Sequence, residues 1–162
     1  MNSYNWRSAN GKDVVSIVDL ANEYFKDEIN NLFTIDTLAG SRNVTQAIVS
    51  QFYNPNSELV KVAEDDTGKL IAYVWAKGQQ RSVWSDEPMV VVNMAHASLD
   101  LSSRQRVKLV FEMIELWEQF AVNSQSKIIC STTMRHDQQA FLKIHQRCGY
   151  DVRGSYAYKR LL

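Results

Sequence analysis

Residues 89–132 read MVVVNMAHASLDLSSRQRVKLVFEMIELWEQFAVNSQSKIICST, and three unlike patterns succeed one another within them. Val90-Val91-Val92 is apolar without alternation, which fits a strand covered on both faces, so a strand is expected over Met89 to Leu99. From Ser103 to Val122 apolar side chains recur at helical spacing. One stripe is Val107, Val110, Phe111, Ile114, Trp117 and Ala121, and a second is Leu109, Met113, Leu116 and Phe120. Two apolar stripes predict a helix packed between a sheet and a further element. Lys127 to Thr132, with Ile128, Ile129 and Cys130, reads as a short strand. Strand, helix and strand in this order form the unit of a parallel crossover.

Working outward, the segment before this unit reads as a hairpin. Leu59 to Ala63 and Leu70 to Ala76 have strand patterns, and Asp65-Asp66-Thr67-Gly68 between them has turn chemistry. Ser82 to Pro88 breaks the pattern, and Pro88 is expected at the start of the next strand. Further upstream, Val14 to Phe33 carries an amphipathic helical stripe that Asp13 is placed to cap, and Asn43 to Tyr53 carries a second, ended by Asn54-Pro55-Asn56. Tyr4 to Ser8 is a candidate first strand. Downstream, Asp137 to Arg147 reads as a helix closed by Gly149, followed by a strand or hairpin over Val152 to Leu161. The whole predicts one mixed α/β domain over residues 1–162, whose sheet combines antiparallel hairpins with parallel crossovers.

Composition narrows the field. The 162 residues are 45% hydrophobic, enough to bury a core in one domain. Eighteen basic and eighteen acidic side chains balance, so bulk charge gives no reason to expect nucleic acid or an anionic membrane as partner. Cys130 and Cys148 have no metal-ligand spacing and read as packed thiols rather than a disulfide. The N-terminus lacks the apolar stretch of a secretory signal, and no apolar run reaches membrane-spanning length. A cytoplasmic location is therefore expected.

The element order resembles the Gcn5-related N-acetyltransferase (GNAT) superfamily. The resemblance runs over residues 58–161, through LVKVAEDDTGKLIAYVWA, HASLDLSSRQRVKLVFEMIELWEQFA and KIICSTTMRHDQQAFLKIHQRCGYDVRGSYAYKRL, whose corner is Arg147-Cys148-Gly149-Tyr150. It implies a mixed, mostly antiparallel central sheet flanked by helices. It also implies acyl transfer from acetyl-CoA to an amine, on a small molecule or a protein. The family's pyrophosphate loop, Arg/Gln-x-x-Gly-x-Gly/Ala, aligns with Ser103, Arg104, Gln105, Arg106, Val107 and Lys108, so both glycine positions are filled by cations. Two readings stand side by side. In one, the backbone nest survives and Arg104, Arg106 and Lys108 add contacts to phosphates. In the other, this is a solvated basic first turn in a GNAT-fold protein that acts as a binding or structural module.

The resemblance further implies an oxyanion-binding backbone N–H near Ala97 to Leu99, and a cofactor contact at Gln138 on entry to the last helix. The family's acidic Tyr position holds His145, whose unperturbed pKa of about 6.5 suits proton donation to a thiolate. Tyr150 is a second phenolic candidate, with Tyr156 and Tyr158 expected to pack. For the base, His96 and Asn93 lie on the central strand, where His96 could direct a water to the amine or serve as a satisfied structural residue. Glu64, Asp65 and Asp66 read as turn chemistry, and His136 as a surface loop residue. Asp36 to Arg42, with Gly40, reads as a mobile loop beside the acceptor, and Tyr73, Trp75 and Trp84 as candidates to line its pocket or to pack the core. No metal site is expected, and a homodimer is open.

Overall fold

The computed structural model describes residues 4–28, 32–134, 138–154, 157, 159 and 160. Five strands form one sheet in sequence order: β1 (Tyr4–Ser8), β2 (Glu58–Asp65), β3 (Leu70–Ser82), β4 (Ser85–Ala97) and β5 (Ile128–Ser131). The first four pair antiparallel, and β5 joins β4 in parallel across a helical crossover. The helices are α1 (Val14–Glu28), α2 (Thr37–Tyr53), α3 (Ser103–Asn123) and α4 (Gln139–Arg147). The mixed, mostly antiparallel sheet flanked by helices is the architecture anticipated from the sequence.

Alternation along the strands feeds two cores. On one face Val60, Val62 and Tyr73 pack against Ile17, Leu20 and Ala21 of α1 and Val44, Ala47 and Ile48 of α2. On the other, Ala63, Ala72, Val74, Ala76, Val90 and Val92 meet Leu109, Met113, Ile114 and Trp117 of α3 and Ile144 of α4. Both apolar stripes of α3 feed this one cluster, Ile114, Trp117 and Ala121 from the first and Leu109, Met113 and Phe120 from the second. Burying side chains such as Trp117 and Tyr73 completely contributes roughly 2–3 kcal/mol each from area removed from water.

Several expectations give way. Asn10, not Asp13, caps the first helical turn. Its side chain accepts from the Lys12 N–H while the Asp13 carboxylate reaches back to the Asn10 N–H. Asp13 is instead held by Arg7: burial acts to raise its pKa, but the guanidinium and the Asn10 N–H outweigh it and keep the carboxyl below its usual range. The helix expected to reach Phe33 does not: α1 is described over Val14–Glu28, residues 29–31 lie outside the described residues, and Phe33 is in a bend.

The expected mobile loop Asp36–Arg42 is the capped start of α2. Asp36 accepts from the Ala39 N–H, and the Ser41 and Thr45 hydroxyls donate back to the carbonyls of Thr37 and Ser41. Gly40 sits in that helix against Val18, whose methyl groups would be 3.8 and 3.9 Å from a Cβ there, an ordinary contact.

The expected break at Ser82–Pro88 is a hairpin tip. β3 runs to Ser82, Ser82 pairs with Ser85, and Pro88 lies inside β4, where only its carbonyl is used, accepting from the Lys127 N–H. Gln79 enters the left-handed region at φ 56° on this long strand. The last helix begins at Gln139, and Arg135, His136 and Asp137 lie outside the described residues. The described residues of the expected final strand, 152–154, 157, 159 and 160, form none; Tyr156, Tyr158 and Leu161 lie outside them. Gly149 takes the left-handed φ of 84° anticipated for it.

Among the described residues no helix is long and apolar enough to cross a membrane. Both cysteines are free thiols.

Candidate functional site

The parallel pairing of β4 with β5 is short. It runs from Met89 opposite Ile128 to Val92 opposite Ser131, and there it stops, while β4 continues to Ala97. At the parting point β4 has an extra residue: Trp75 pairs with Met94 and Ala76 with Val92, leaving Asn93 as a bulge. The two strands diverge from it and enclose a cleft of about 550 Å³. Its floor and near side are Val92 to Ala97; its far side is Ser131 to Met134 with Ala140, Phe141 and Ile144. Tyr24, Phe25 and Glu28 of α1 close one end, and Ser103, Arg106 and Val107 of α3 the other.

At the α3 end Ser102 is the N-cap. Its hydroxyl accepts from the Gln105 N–H, and the Gln105 side chain accepts from the Ser102 N–H, forming a capping box. Ser103 to Lys108 are therefore the first turns of a helix, and none of them has positive φ. This explains why glycine is dispensable there: the backbone never enters a region that only glycine favours. Uncapped N–H groups and the helix dipole make this terminus attractive to an anion.

The three cations of this stretch go different ways. Arg106 lines the cleft, with Nη2 3.4 Å from the Ser103 hydroxyl. The Lys108 ammonium lies 3.5 Å from Glu112 and 4.8 Å from the centre of the Tyr4 ring. Glu112 also accepts from Tyr4 and from the Trp6 indole. Lys108 is thus drawn to the β1 side, and with Arg104 and Gln105 it is outside the cleft lining. Leu99 is 41% exposed beyond the end of β4 and Gln138 is exposed before α4, so neither lines the cleft.

Ala97 does. The Ser98 N–H is used on the Ile71 carbonyl, so strand alternation turns the N–H and C=O of Ala97 the other way, towards the cleft. The Ala97 carbonyl accepts from the Tyr24 hydroxyl, which ties α1 to the end of β4.

Two buried histidines flank the cleft from opposite faces of the sheet. His96 lines it. Its Nδ1 is 2.7 Å from the Tyr73 hydroxyl, and its Nε2 is 3.2 Å from each carboxylate oxygen of Glu28. The Tyr24 ring stacks on it at 4.5 Å and 7°, and Phe25 meets it edge-on. Tyr73 is fully buried, and desolvation pushes its phenol well above the ordinary value, so its O–H stays and requires an acceptor. Nδ1 is that acceptor; Met94 sulfur, at 3.8 Å, is a weak alternative. The ring proton is then on Nε2, donated to Glu28.

His145 stands behind the opposite wall, among Phe141, Trp117 and Tyr150. Its Nδ1–H donates to the Phe141 carbonyl at 2.9 Å, which leaves Nε2 to face the Ser131 hydroxyl at 3.0 Å. Burial lowers its pKa against the opposing pull of that carbonyl. Only Ser131 of this pair lines the cleft. Tyr150 is also set back. Its hydroxyl accepts from the Trp117 indole at 2.8 Å, and burial raises its pKa. Of the three catalytic candidates named from the sequence, the structure puts His96 at the cleft and sets His145 and Tyr150 one layer behind it, among Trp117 and Phe141.

Glu28 was missed. It continues the spacing of Ile17, Ala21 and Tyr24 on α1, so a carboxylate sits on the helix's apolar stripe, a signal open to detection from sequence. Trp84 is 92% exposed at the hairpin tip and does not line the cleft, and the Trp75 indole donates to Glu58. Asp65 accepts from Thr67 and Lys69 as turn chemistry requires, whereas Glu64 pairs with Arg7.

No protein-family model matches the sequence, and no curated protein matches it. Solved structures do. An aminoglycoside 6'-N-acetyltransferase of Acinetobacter baumannii superposes with TM-score 0.69 at 15% identity, over 98% of this chain and 99% of its own. A second aminoglycoside N-acetyltransferase, held with a bisubstrate analogue joining CoA to acetylneamine, gives 0.69 at 18% identity over 98% and 99%. A ribosomal-protein-alanine N-acetyltransferase of Brucella melitensis gives 0.69 at 11% identity over 98% and 99%. With its mixed sheet and four flanking helices, the chain has the GNAT fold.

Proposed function

We propose that this protein is an N-acyltransferase that moves an acetyl group from acetyl-CoA to an amine. The observation that carries the reading is the cleft between β4 and β5, open from Asn93 onward and headed by the N-terminus of α3 with Arg106 beside it. An elongated thioester fits such a slot with its phosphates at the helix terminus and its acyl end towards Ala97. The similar folds held with CoA support the choice of co-substrate. In this reading Ser103, Arg106 and Val107 contact the cofactor, the Ala97 N–H faces the thioester carbonyl, and Lys108 takes no part.

Acyl transfer to an amine needs a group to take the ammonium proton and one to meet the departing thiolate. Both ring nitrogens of His96 are engaged, so it acts by holding Glu28 rather than by receiving the proton itself. His145 reaches the cleft only through the Ser131 hydroxyl, and burial favours its neutral form, so its part in thiolate protonation is to orient that hydroxyl. The decisive experiment is calorimetric titration with acetyl-CoA and with CoA. Micromolar to low-millimolar binding is expected, and no heat at millimolar ligand sinks the reading in favour of a non-catalytic module on the same fold.

A further inference from the structure

Among the described residues lining the cleft, Arg106 and Glu28 are the charged ones, and they stand on different helices at its two ends. The Glu28 position is an unfavourable one for a carboxylate. Its side chain is only 15% exposed. It is the last described residue of α1, where the helix dipole presents its negative pole. Its hydrogen-bond donor is the Nε2–H of an imidazole whose Nδ1 is used as acceptor by Tyr73. Among the described residues the ion-pair partner of this carboxylate is that imidazole, and a largely buried carboxylate gains from a further cation that can reach it through the cleft.

The surroundings describe that ligand. On the α1 side, with Glu28, the lining is aromatic and apolar, from Tyr24, Phe25 and Met94. Tyr24 stacks on His96 at 4.5 Å and Phe25 meets it edge-on at 6.4 Å, contacts that hold both rings as fixed walls. We infer that Glu28 is the residue that selects the acceptor: it binds the ammonium of a monoamine whose apolar or aromatic body lies against Phe25 and Met94. A carboxylate on the same molecule would be repelled. The inference rests on the acyltransferase reading for what happens next, but the ammonium site itself does not depend on CoA.

The test is a calorimetric titration of 2-phenylethylamine and of phenylalanine into the CoA-saturated protein. Wild type is expected to bind the amine, and to bind the amino acid at least about tenfold more weakly. Glu28→Gln keeps the shape and the CoA affinity and is expected to weaken amine binding by about tenfold or more, as loss of a charged hydrogen bond does. It is also expected to unfold in urea at the same or a higher midpoint, because a buried charge is relieved. That last measurement distinguishes lost recognition from lost folding. Equal amine affinity in wild type and Glu28→Gln overturns the inference, as does equal binding of the amino acid, or no binding of the amine by wild type. If CoA fails to bind, the acyltransferase reading falls alone, and the same titrations into the free protein still decide the role of Glu28.

Discussion

The two walls of the cleft each bury a histidine, and they use it differently. On the α1 side His96 lines the cavity, aims Nε2 at a carboxylate, and rests Nδ1 on a tyrosine hydroxyl. On the α4 side His145 turns Nδ1 to a main-chain carbonyl and gives the cavity only the hydroxyl of Ser131. Burial is similar, at 7% and 3% exposure, so burial does not separate them. What separates them is the charge on the partner. A histidine that serves a carboxylate holds charge at the cleft; one that serves a carbonyl and a hydroxyl holds packing. The α1 wall is therefore read as recognition and the α4 wall as support.

Trp117→Ala breaks the supporting wall most severely. It removes the ring against which His145 stacks and the indole that donates to Tyr150, at a cost of about 3–5 kcal/mol in urea unfolding. Next comes His96→Leu, which strands the buried Tyr73 O–H and removes the donor to Glu28. A loss of about 1–3 kcal/mol in stability is expected, together with weaker amine binding by calorimetry. Were amine binding unchanged, the two walls would be alike.

Cofactor contacts give a smaller contrast. Arg106→Ala is expected to weaken CoA by about tenfold, while Lys108→Ala leaves it unchanged, since its ammonium is held by Glu112 and Tyr4. The smallest effect is in pH. Burial holds the His145 pKa below its unfolded value, so its contribution to stability is whole above about pH 6.5 and is lost as pH falls through the folded pKa. Urea midpoints measured at pH 7.5 and 5.5 should show that part of the acid loss missing in His145→Gln.

Much of this was open to reading before any coordinates. The unbroken Val90-Val91-Val92 run and the double stripe of α3 fix the crossover, because a strand buried on both faces and a helix buried on two sides have patterns that do not interchange. The start of α2 was not legible: Gly40 and Ser41 look like loop residues, and only the Asp36 cap and the fit against Val18 make them helical. The cleft was half legible. Ser103, Arg106 and His96 were reached by alignment of pattern, whereas the partition of Arg106 from Lys108 depends on Tyr4 and Trp6, over 100 residues away along the chain. Glu28 meets His96 across 68 residues, a pairing no local window contains.

The bulge at Asn93 has one more consequence. By ending the β4–β5 ladder early, it creates a strand edge in the interior of the sheet rather than at its rim. Exposed edges invite pairing with other chains, which is why proteins shield them. This one faces the cleft, with Ser131 to Met134, Phe141 and Phe25 among the residues around it, so its unpaired groups are left to an occupant that can offer hydrogen-bonding groups along its length. The fold turns a place where one strand would recruit another into the lining of a cleft.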